Sequence, residues 1–175
     1  MNRPAPQHPA PRHPAPRLAG RRGPHRAAAA LLVLLAGAAS ARAGEPVWYG
    51  ESEGDTARLI LGIPGSAESV LVLSCTRGSG TLAVRTRFGS NGLLPGEPAE
   101  VTLENNRARV AFAGTAVADA PRGAVDVEAR GPLANLATIV RTNRPFVATV
   151  KGARFIMSQA GMAEPYATLV AACAG

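Results

Sequence analysis

Short apolar runs separated by turn residues dominate the chain after position 44. Leu59–Ile63 and Val70–Leu73 are continuous apolar runs, bounded by Pro64-Gly65 and by Gly78. Runs of this length between proline and glycine are typical of strands that are covered on both faces. The pattern therefore predicts two buried β-strands early in this part of the chain.

Later segments alternate apolar and polar residues, with the period of a strand that has one dry and one wet face. In residues 81–88 every second side chain is apolar or threonine, and Arg85 and Arg87 share the opposite face. The same alternation recurs around residues 101–103, 110–112, 125–128 and 146–151, and a last strand follows at Arg154–Met157.

A turn signal lies between two of these segments. Asn105-Asn106 follows the strand around position 103 and precedes the one around position 110. Because asparagine tolerates positive φ, the pair predicts a two-residue hairpin turn, with Glu104 and Arg107 as opposite charges on either side.

Two segments have helical spacing instead. The first begins at Pro132 and has apolar residues at positions 133, 136, 137 and 140, and the second begins at Pro165 and has them at 166, 169, 170 and 173. Proline is favoured in the first turn of a helix, where its missing N–H is not needed, so we expect two short amphipathic helices. Together the elements predict a mostly β fold, an antiparallel β-sandwich or small barrel with two short helices.

The first 43 residues have a different composition. Residues 1–26 are rich in proline, arginine and alanine, and they precede an apolar run at Ala27–Ala39 and two small-x-small sites that end at Ala41 and Ala43. This order is typical of a secretory signal peptide, and the apolar run is shorter than the ~20 residues of a membrane-spanning helix. We expect residues 1–43 to be a signal peptide with a long Arg/Pro-rich n-region, and residues 44–175 to form a single β-rich domain.

Charge is distributed unevenly between these two parts. The net charge of the 175 residues is +7, but the first 43 hold seven arginines and no acid, while residues 44–175 have twelve basic and twelve acidic residues. All three histidines, His8, His13 and His25, also precede position 44. The excess basic charge would be removed with the signal peptide, so it indicates nothing about the partners of the domain.

The two cysteines, Cys75 and Cys173, both lie in the domain. In an oxidising compartment such a pair most simply forms one disulfide, which here would join an early strand to the buried face of the terminal helix. The alternative, a metal or redox pair, lacks both C-x-x-C spacing and a histidine in the domain. Export and a disulfide together predict a periplasmic or secreted protein.

The lack of histidine in residues 44–175 limits the chemistry open to the domain. A Ser-His-Asp triad, a Cys-His dyad and a His-based zinc site are excluded. The one lysine, Lys151, could form a dyad with Ser158, but a solvated cation beside a turn at Gly152 is the ordinary interpretation. No catalytic residue, cofactor or metal ligand is predicted.

Two further patterns have both a functional and a structural interpretation. Glu51, Glu53 and Asp55 could supply oxygen ligands to calcium, although an exposed acidic turn is commoner. Thr76–Gly80 could form an anion-binding nest, but such a loop should open a helix. The chain continues from Leu82 as a strand, which favours a hairpin turn.

Candidate partner contacts are few because the domain has few aromatic residues. Trp48-Tyr49 near its start could be an exposed binding anchor, or could close one end of the β-core. Arg85 and Arg87 could form a positive strip with Arg107 and Arg109 if their strands are neighbours, or could belong to a solvated outer face. The scarcity of stacking platforms argues against nucleic acid as a partner.

Several short apolar segments, with one cysteine at the end of an early strand and a second near the C-terminus, together form a recognisable pattern. These parts of the chain are Trp48, Ala57–Leu59, Val70–Cys75, Gly80–Val84 and Leu169–Cys173. This pattern resembles that of small, mostly uncharacterised proteobacterial periplasmic β-proteins with a disulfide bond. More loosely, it is similar to periplasmic accessory proteins of type VI secretion and to small lysozyme inhibitors. The resemblance implies an architecture more than an activity.

These observations predict a non-enzymatic, exported protein-binding module of the envelope accessory or inhibitor type. Its partner would be another envelope or secreted protein, held by loops or by an open sheet edge, where unpaired backbone groups accept a strand. One alternative is a small hydrolase or lyase that uses carboxylates and arginine, which requires convergent acids and a raised carboxyl pKa. Another is a barrel that binds a small apolar ligand in an internal cavity. No membrane span is expected after removal of the signal peptide.

Overall fold

The computed structural model describes residues 44–174, and the predicted signal peptide lies outside this part of the chain. Nine strands and two helices follow one another, with a single 3-10 turn at Ala120–Arg122. In chain order they are β1 (Val47–Glu53), β2 (Thr56–Gly62), β3 (Ser69–Thr76), β4 (Thr81–Thr86), β5 (Pro98–Glu104), β6 (Arg109–Asp119), β7 (Ala124–Pro132), α1 (Leu133–Val140), β8 (Phe146–Val150), β9 (Ala153–Met157) and α2 (Ala163–Ala174).

All nine strands belong to one antiparallel sheet, in the order β1-β2-β3-β4-β7-β6-β5-β8-β9. Most neighbours are consecutive in the chain, but β4 pairs with β7 and β5 pairs with β8. The β5-β6-β7 meander therefore runs through the sheet in reverse order. The predicted fold class, a mostly antiparallel β fold with two short helices, is confirmed.

The sheet curls until strands from its two ends meet. Trp48 of β1 and Phe146 of β8 are far apart in the strand order, yet their ring centroids lie 6.2 Å from each other. The Trp48 indole N–H also donates to the Ser158 carbonyl oxygen at 2.7 Å. Large side chains such as Phe112 and Leu73 are fully buried in the core. Because the interior is filled in this way, the structure favours a packed core over a cavity for a small ligand.

Helix α2 is fixed to the sheet at its C-terminal end. Cys173 forms the predicted disulfide with Cys75 of β3. The backbone N–H groups of Gly78 and Gly80 donate to the carbonyl oxygens of Ala172 and Cys173, at 3.0 and 2.9 Å. The last carbonyls of a helix have no partner within the helix, so the β3–β4 turn supplies the hydrogen bonds that they lack.

Helix α1 begins directly after Pro132, as the spacing predicts. Its buried residues include Leu136 and Ile139, so its inward face is rotated slightly from the predicted one. The Ile139 carbonyl oxygen accepts hydrogen bonds from the side-chain amides of Asn105, at 3.0 Å, and Gln159, at 3.4 Å. Two side chains that are distant in sequence therefore cap this helix.

The β5–β6 turn is longer than the asparagine pair predicts. Residues 105–108 form a four-residue turn, because Glu104 pairs with Arg109 across the two strands. The Asn105 side-chain oxygen accepts hydrogen bonds from the N–H groups of Arg107 and Ala108, at 2.9 and 3.0 Å, and these bonds hold the wider turn. The predicted two-residue turn between Glu104 and Arg107 is therefore wrong, and Glu104 instead forms an ion pair with Arg109 at 3.5 Å.

Neither described helix has the dimensions of a membrane span. The longer one, α2, has 12 residues and is therefore about 18 Å long, against about 30 Å for the hydrocarbon core of a bilayer. Within residues 44–174, no helix is both long and apolar enough to cross a membrane.

Candidate functional site

The outer face of the sheet has two rows of side chains that cross five neighbouring strands. In the order β2, β3, β4, β7, β6, the first row is Arg58, Ser74, Ala83, Arg130 and Ala113. Neighbouring strands are about 4.8 Å apart, so about 14 Å separate the backbones at Arg58 and Arg130. Only small side chains lie between these two arginines, and they leave a low floor.

The second row lies beside the first on the same five strands. It consists of Ile60, Val72, Arg85, Glu128 and Thr115. Ile60 is buried without belonging to the core cluster, which leaves an apolar side at the β2–β3 end of the row. A Cβ at Gly114 would collide with the Glu128 carbonyl oxygen, so the glycine allows β6 to approach β7 closely here.

These rows line a cleft of about 620 Å³. We call it the arginine cleft, and its charged lining residues are Arg58, Arg85, Arg87, Arg130 and Glu128. It therefore combines four guanidinium groups with a single carboxylate. An excess of one sign of charge in a concave surface attracts ligands of the opposite sign.

Three of the four arginines form ion pairs with acidic side chains. Arg58 lies 3.1 Å from Glu53, and Arg85 lies 2.9 Å from Glu128. Arg87 lies 3.2 Å from Asp119. Arg130 has no such ion pair within residues 44–174. The acidic groups thus orient three guanidinium groups and compensate their charge, so Arg130 is the cleft arginine whose charge has no ion-pair partner in this part of the chain.

Two N–H groups in the cleft lack a hydrogen-bond acceptor. The Nε atoms of Arg85 and Arg87 are buried, and neither has a partner in the part of the chain that the structure describes. A buried donor without an acceptor costs about 1–3 kcal/mol. Both Nε atoms are shielded from solvent, so a ligand carboxylate would be bound by the exposed parts of these guanidinium groups.

A buried ion cluster holds Arg87 at one end of the cleft. Arg122 donates from Nε to Asp119 at 2.9 Å and from Nη2 to Asp126, while the Gly89 N–H donates to Asp126 at 3.2 Å. Both carboxylates are buried. The side-chain hydrogen bond from Arg122 is the main reason that the pKa of Asp119 lies below its ordinary value. This carboxylate therefore stays ionised at neutral pH and orients the arginines rather than donating a proton.

The arginines of the possible positive strip lie in two separate places in the structure. Arg85 on β4 and Arg87, just after the end of β4, both line the cleft, and their role as partner contacts stays a prediction. The strip that includes Arg107 and Arg109 is wrong, because β7 separates β4 from β6. Arg107 lies in the β5–β6 turn, and Arg109 faces Glu104.

Sequence reasoning missed Arg58 and Arg130. Both arginines are neighbours of buried residues in their strands. Arg58 lies between the buried Ala57 and Leu59, and Arg130 follows the buried Ala129. That alternation could have marked both as outward. Their position in one row depends on the pairing of β4 with β7, which local sequence does not indicate.

Trp48 and Tyr49 point to different sides of β1. Trp48 is only 6% exposed and packs in the core, so it closes the β-core, and its interpretation as an exposed anchor is wrong. Tyr49 is half-buried, and its partial burial, followed by the nearby Glu51 carboxylate, raises the pKa of its hydroxyl. Of this pair, Tyr49 remains a candidate contact.

The other acidic and loop patterns have structural roles. Glu51 and Glu53 both face Arg58, at 4.0 and 3.1 Å. No group of three metal-ligating side chains comes together in residues 44–174. Thr76–Gly80 joins β3 to β4 as the predicted hairpin turn, and two of its N–H groups are used by α2, so an anion nest there is wrong.

The lysine–serine pair does not form. The Lys151 ammonium group donates to the Gly92 carbonyl oxygen at 2.8 Å. Ser158 lies beyond the other end of β9, and its hydroxyl accepts from the Ala160 N–H at 3.1 Å. A strand of five residues therefore separates the two groups.

Comparison with known proteins adds no relative to this description. No protein-family model matches the chain, and no curated protein or solved structure is detectably similar to it. The resemblance to small periplasmic β-proteins stays an expectation, and the geometry of the arginine cleft is the strongest guide to function.

Proposed function

We propose that this protein is an exported, non-enzymatic binding module that holds an acidic segment of another envelope or secreted protein in the arginine cleft. The observation that carries the proposal is the concentration of four arginines around one carboxylate on a concave outer face. Export is supported by the disulfide between Cys75 and Cys173, since such bonds persist in oxidising compartments.

The ion pairs that the acids near the cleft form with arginines favour binding over carboxylate catalysis. Glu53, Glu128 and Asp119 each face an arginine. A general acid needs a carboxyl pKa near the working pH, whereas the hydrogen bond from Arg122 lowers the pKa of Asp119. These carboxylates are therefore suited to positioning guanidinium groups, which in turn bind an anion.

An acidic polypeptide fits the cleft better than a glycan or a nucleic acid. The lining has no aromatic side chain, and such side chains provide the stacking platforms for bases. Ile60 and Val72 give it an apolar side, which the aliphatic part of a peptide can cover. Arginines bind carboxylates with directional, bidentate hydrogen bonds.

The test is capture of partners from the native periplasm without reductant, followed by mass spectrometry. The cleft variant is Arg58→Gln/Arg130→Gln, and its matched control is Arg107→Gln/Arg154→Gln, which removes the same charge from exposed sites outside the cleft. We expect wild type and control to retain one stoichiometric partner, and the cleft variant to lose at least about tenfold in affinity, or about 1.4 kcal/mol.

Equal recovery by all three proteins, or no partner for wild type, contradicts the proposal. The same preparation tests export, because the captured protein should begin near Gly44, the first residue after the predicted signal peptide. An intact Met1 on protein from the periplasm contradicts that part.

A further inference from the structure

Strand β1 forms one edge of the sheet. All seven of its residues, Val47–Glu53, pair with β2, which is its sole neighbour in the strand order. Within residues 44–174, no backbone group of β1 makes a hydrogen bond to any other backbone group outside this ladder. The opposite edge of β1 therefore presents unpaired N–H and C=O groups, which can pair with a further strand.

A groove of about 400 Å³ runs beside this edge. We call it the edge groove, and it lies between β1 residues from Trp48 to Ser52 and the N-terminal half of α2. Pro165 of α2 packs 3.5 Å from the position that a Cβ of Gly50 would take. The helix thus lies against β1 and provides a floor for side chains of an added strand.

The groove is closed at one end. The hydrogen bond from the Trp48 indole to the Ser158 carbonyl oxygen joins the start of β1 to the segment after β9. Gly161, from the same segment, also lines the groove. The accessible edge therefore runs from Tyr49 to Glu53, five residues that extend for about 17 Å.

The edge groove is acidic. Glu51 on β1 and Glu164 in the first turn of α2 both line it, and no lysine or arginine does. Glu164 forms no ion pair within residues 44–174, and Glu51 has one at 4.0 Å, to Arg58. A segment with basic side chains would complement this charge.

We propose that the edge groove binds a short, extended, basic segment of a partner protein, which adds to β1 as a tenth strand. Backbone hydrogen bonds along β1 would supply the affinity. Basic side chains at neighbouring positions of the segment would supply the specificity, because Glu51 lies on the outer face of β1 and Glu164 belongs to the helix on the opposite face. The groove shares no lining residue with the arginine cleft. It is therefore a second binding site with the opposite charge preference.

A second copy of this chain is a poorer occupant. If two β1 strands paired antiparallel, a register centred on Glu51 would set the two Glu51 carboxylates directly opposite each other, and a register centred on Gly50 would set them as diagonal neighbours. Like charges that face each other across paired strands are destabilising. The charge of the groove thus selects a basic partner segment over self-association.

The probe is a capped seven-residue peptide with two neighbouring lysines at its centre and valine elsewhere, so that one lysine points to each face of β1. It is titrated into the oxidised protein by calorimetry. Two comparison peptides isolate the two contributions. The first is N-methylated at every second amide and is made in two versions, one for each edge of the extended peptide. In the second, glutamate replaces lysine. N-methylation on the edge that faces β1 removes about three backbone hydrogen bonds and should weaken binding by about a hundredfold.

Protein variants locate the site. Glu51→Gln/Glu164→Gln should weaken the lysine peptide by about three- to tenfold, because two exposed ion pairs are lost. Glu45→Gln/Glu68→Gln removes the same charge from exposed positions outside the groove and should leave affinity unchanged. Protection of the β1 amides from hydrogen exchange by the bound peptide should accompany binding.

Several results would overturn the proposal. They are equal binding of the N-methylated or glutamate peptides, equal loss in both double variants, and no detectable binding of the lysine peptide. A concentration-dependent dimer in sedimentation that the peptide does not dissociate would assign the edge to a second copy instead.

Discussion

Asp126 is fully buried and accepts hydrogen bonds from two groups that belong to different elements. Arg122, in the 3-10 turn, and the Gly89 N–H, in the loop after β4, both donate to its carboxylate. Asp119 binds Arg122 and Arg87 in the same way. Each charge in this cluster is thus compensated, which a buried charge requires. The cluster joins the β6–β7 hairpin to β4 and orients Arg87 in the cleft.

Asp126→Ala should lower the free energy of unfolding by about 2–4 kcal/mol, because it leaves Arg122 and the Gly89 N–H without their acceptor. Urea unfolding followed by circular dichroism measures the change. Glu68→Ala is the control, since Glu68 is an exposed acid in the β2–β3 turn, and a surface substitution of this kind should stay within about 0.5 kcal/mol. A loss for Asp126→Ala as small as that of the control would contradict a structural role for the cluster.

Stability should fall in acid as Asp119 protonates. Its pKa is lowered in the folded protein, so the unfolded chain takes up a proton first, at about pH 4. The contribution of Asp119 is then complete above about pH 5 and is lost as the pH falls through the folded pKa. The difference in unfolding free energy between wild type and Asp119→Asn, measured from pH 7 to pH 2, should therefore shrink on acidification. A difference that stays constant or grows would contradict the ion pair.

At the scale of elements, the sequence predicts the helices and strands that are determined by residues close together in the chain. The apolar spacing after Pro132 and Pro165 predicts α1 and α2 because helix faces repeat within four residues. The turn at residues 105–108 is mispredicted, because hydrogen bonds from the Asn105 side chain select a wider turn than the Asn-Asn pair suggests. The capping of α2 by Gly78 and Gly80 could not be predicted, since it joins residues more than ninety positions apart.

Gly80→Ala should destabilise the domain by about 1 kcal/mol. Gly80 has a φ of +62° and open space around its missing side chain, so the cost is backbone strain and not a collision. Gly80→Asn should cost less than Gly80→Ala, because asparagine tolerates the left-handed region better. Thermal or urea unfolding of the two variants checks this order. Equal losses would mean that a steric contact, and not the φ angle, decides the cost.

At the scale of the whole molecule, a chain with equal numbers of acids and bases after residue 43 folds into two surfaces of opposite charge. The arginine cleft forms because β4 pairs with β7, which places Arg130 opposite Ala83 and Glu128 opposite Arg85. These partners are more than forty residues apart in sequence. Alternation predicts that each arginine points outward, but it contains no information about which strands are neighbours. The fold class could therefore be predicted, and the site could not.

If the arginine cleft binds acidic ligands, a charge substitution inside it should change the affinity for an acidic peptide more than one elsewhere on the surface. Glu128→Gln removes the one acid that lines the cleft and releases Arg85 from its ion pair. A fluorescent poly-glutamate peptide should then bind about two- to fivefold more tightly than to wild type, by anisotropy at about 0.1 M salt. Arg130→Gln should weaken binding by a similar factor, and both effects should shrink at high salt because exposed charges are screened.

The matched control for that comparison is Glu104→Gln. Glu104 also forms an ion pair with an arginine on a neighbouring strand, Arg109, and its removal changes the net charge equally, but it lies outside the cleft. If the peptide responded only to net charge, both substitutions would tighten binding to the same extent. A response confined to Glu128→Gln assigns binding to the cleft, because the field of a single carboxylate decays within about 10 Å at moderate ionic strength.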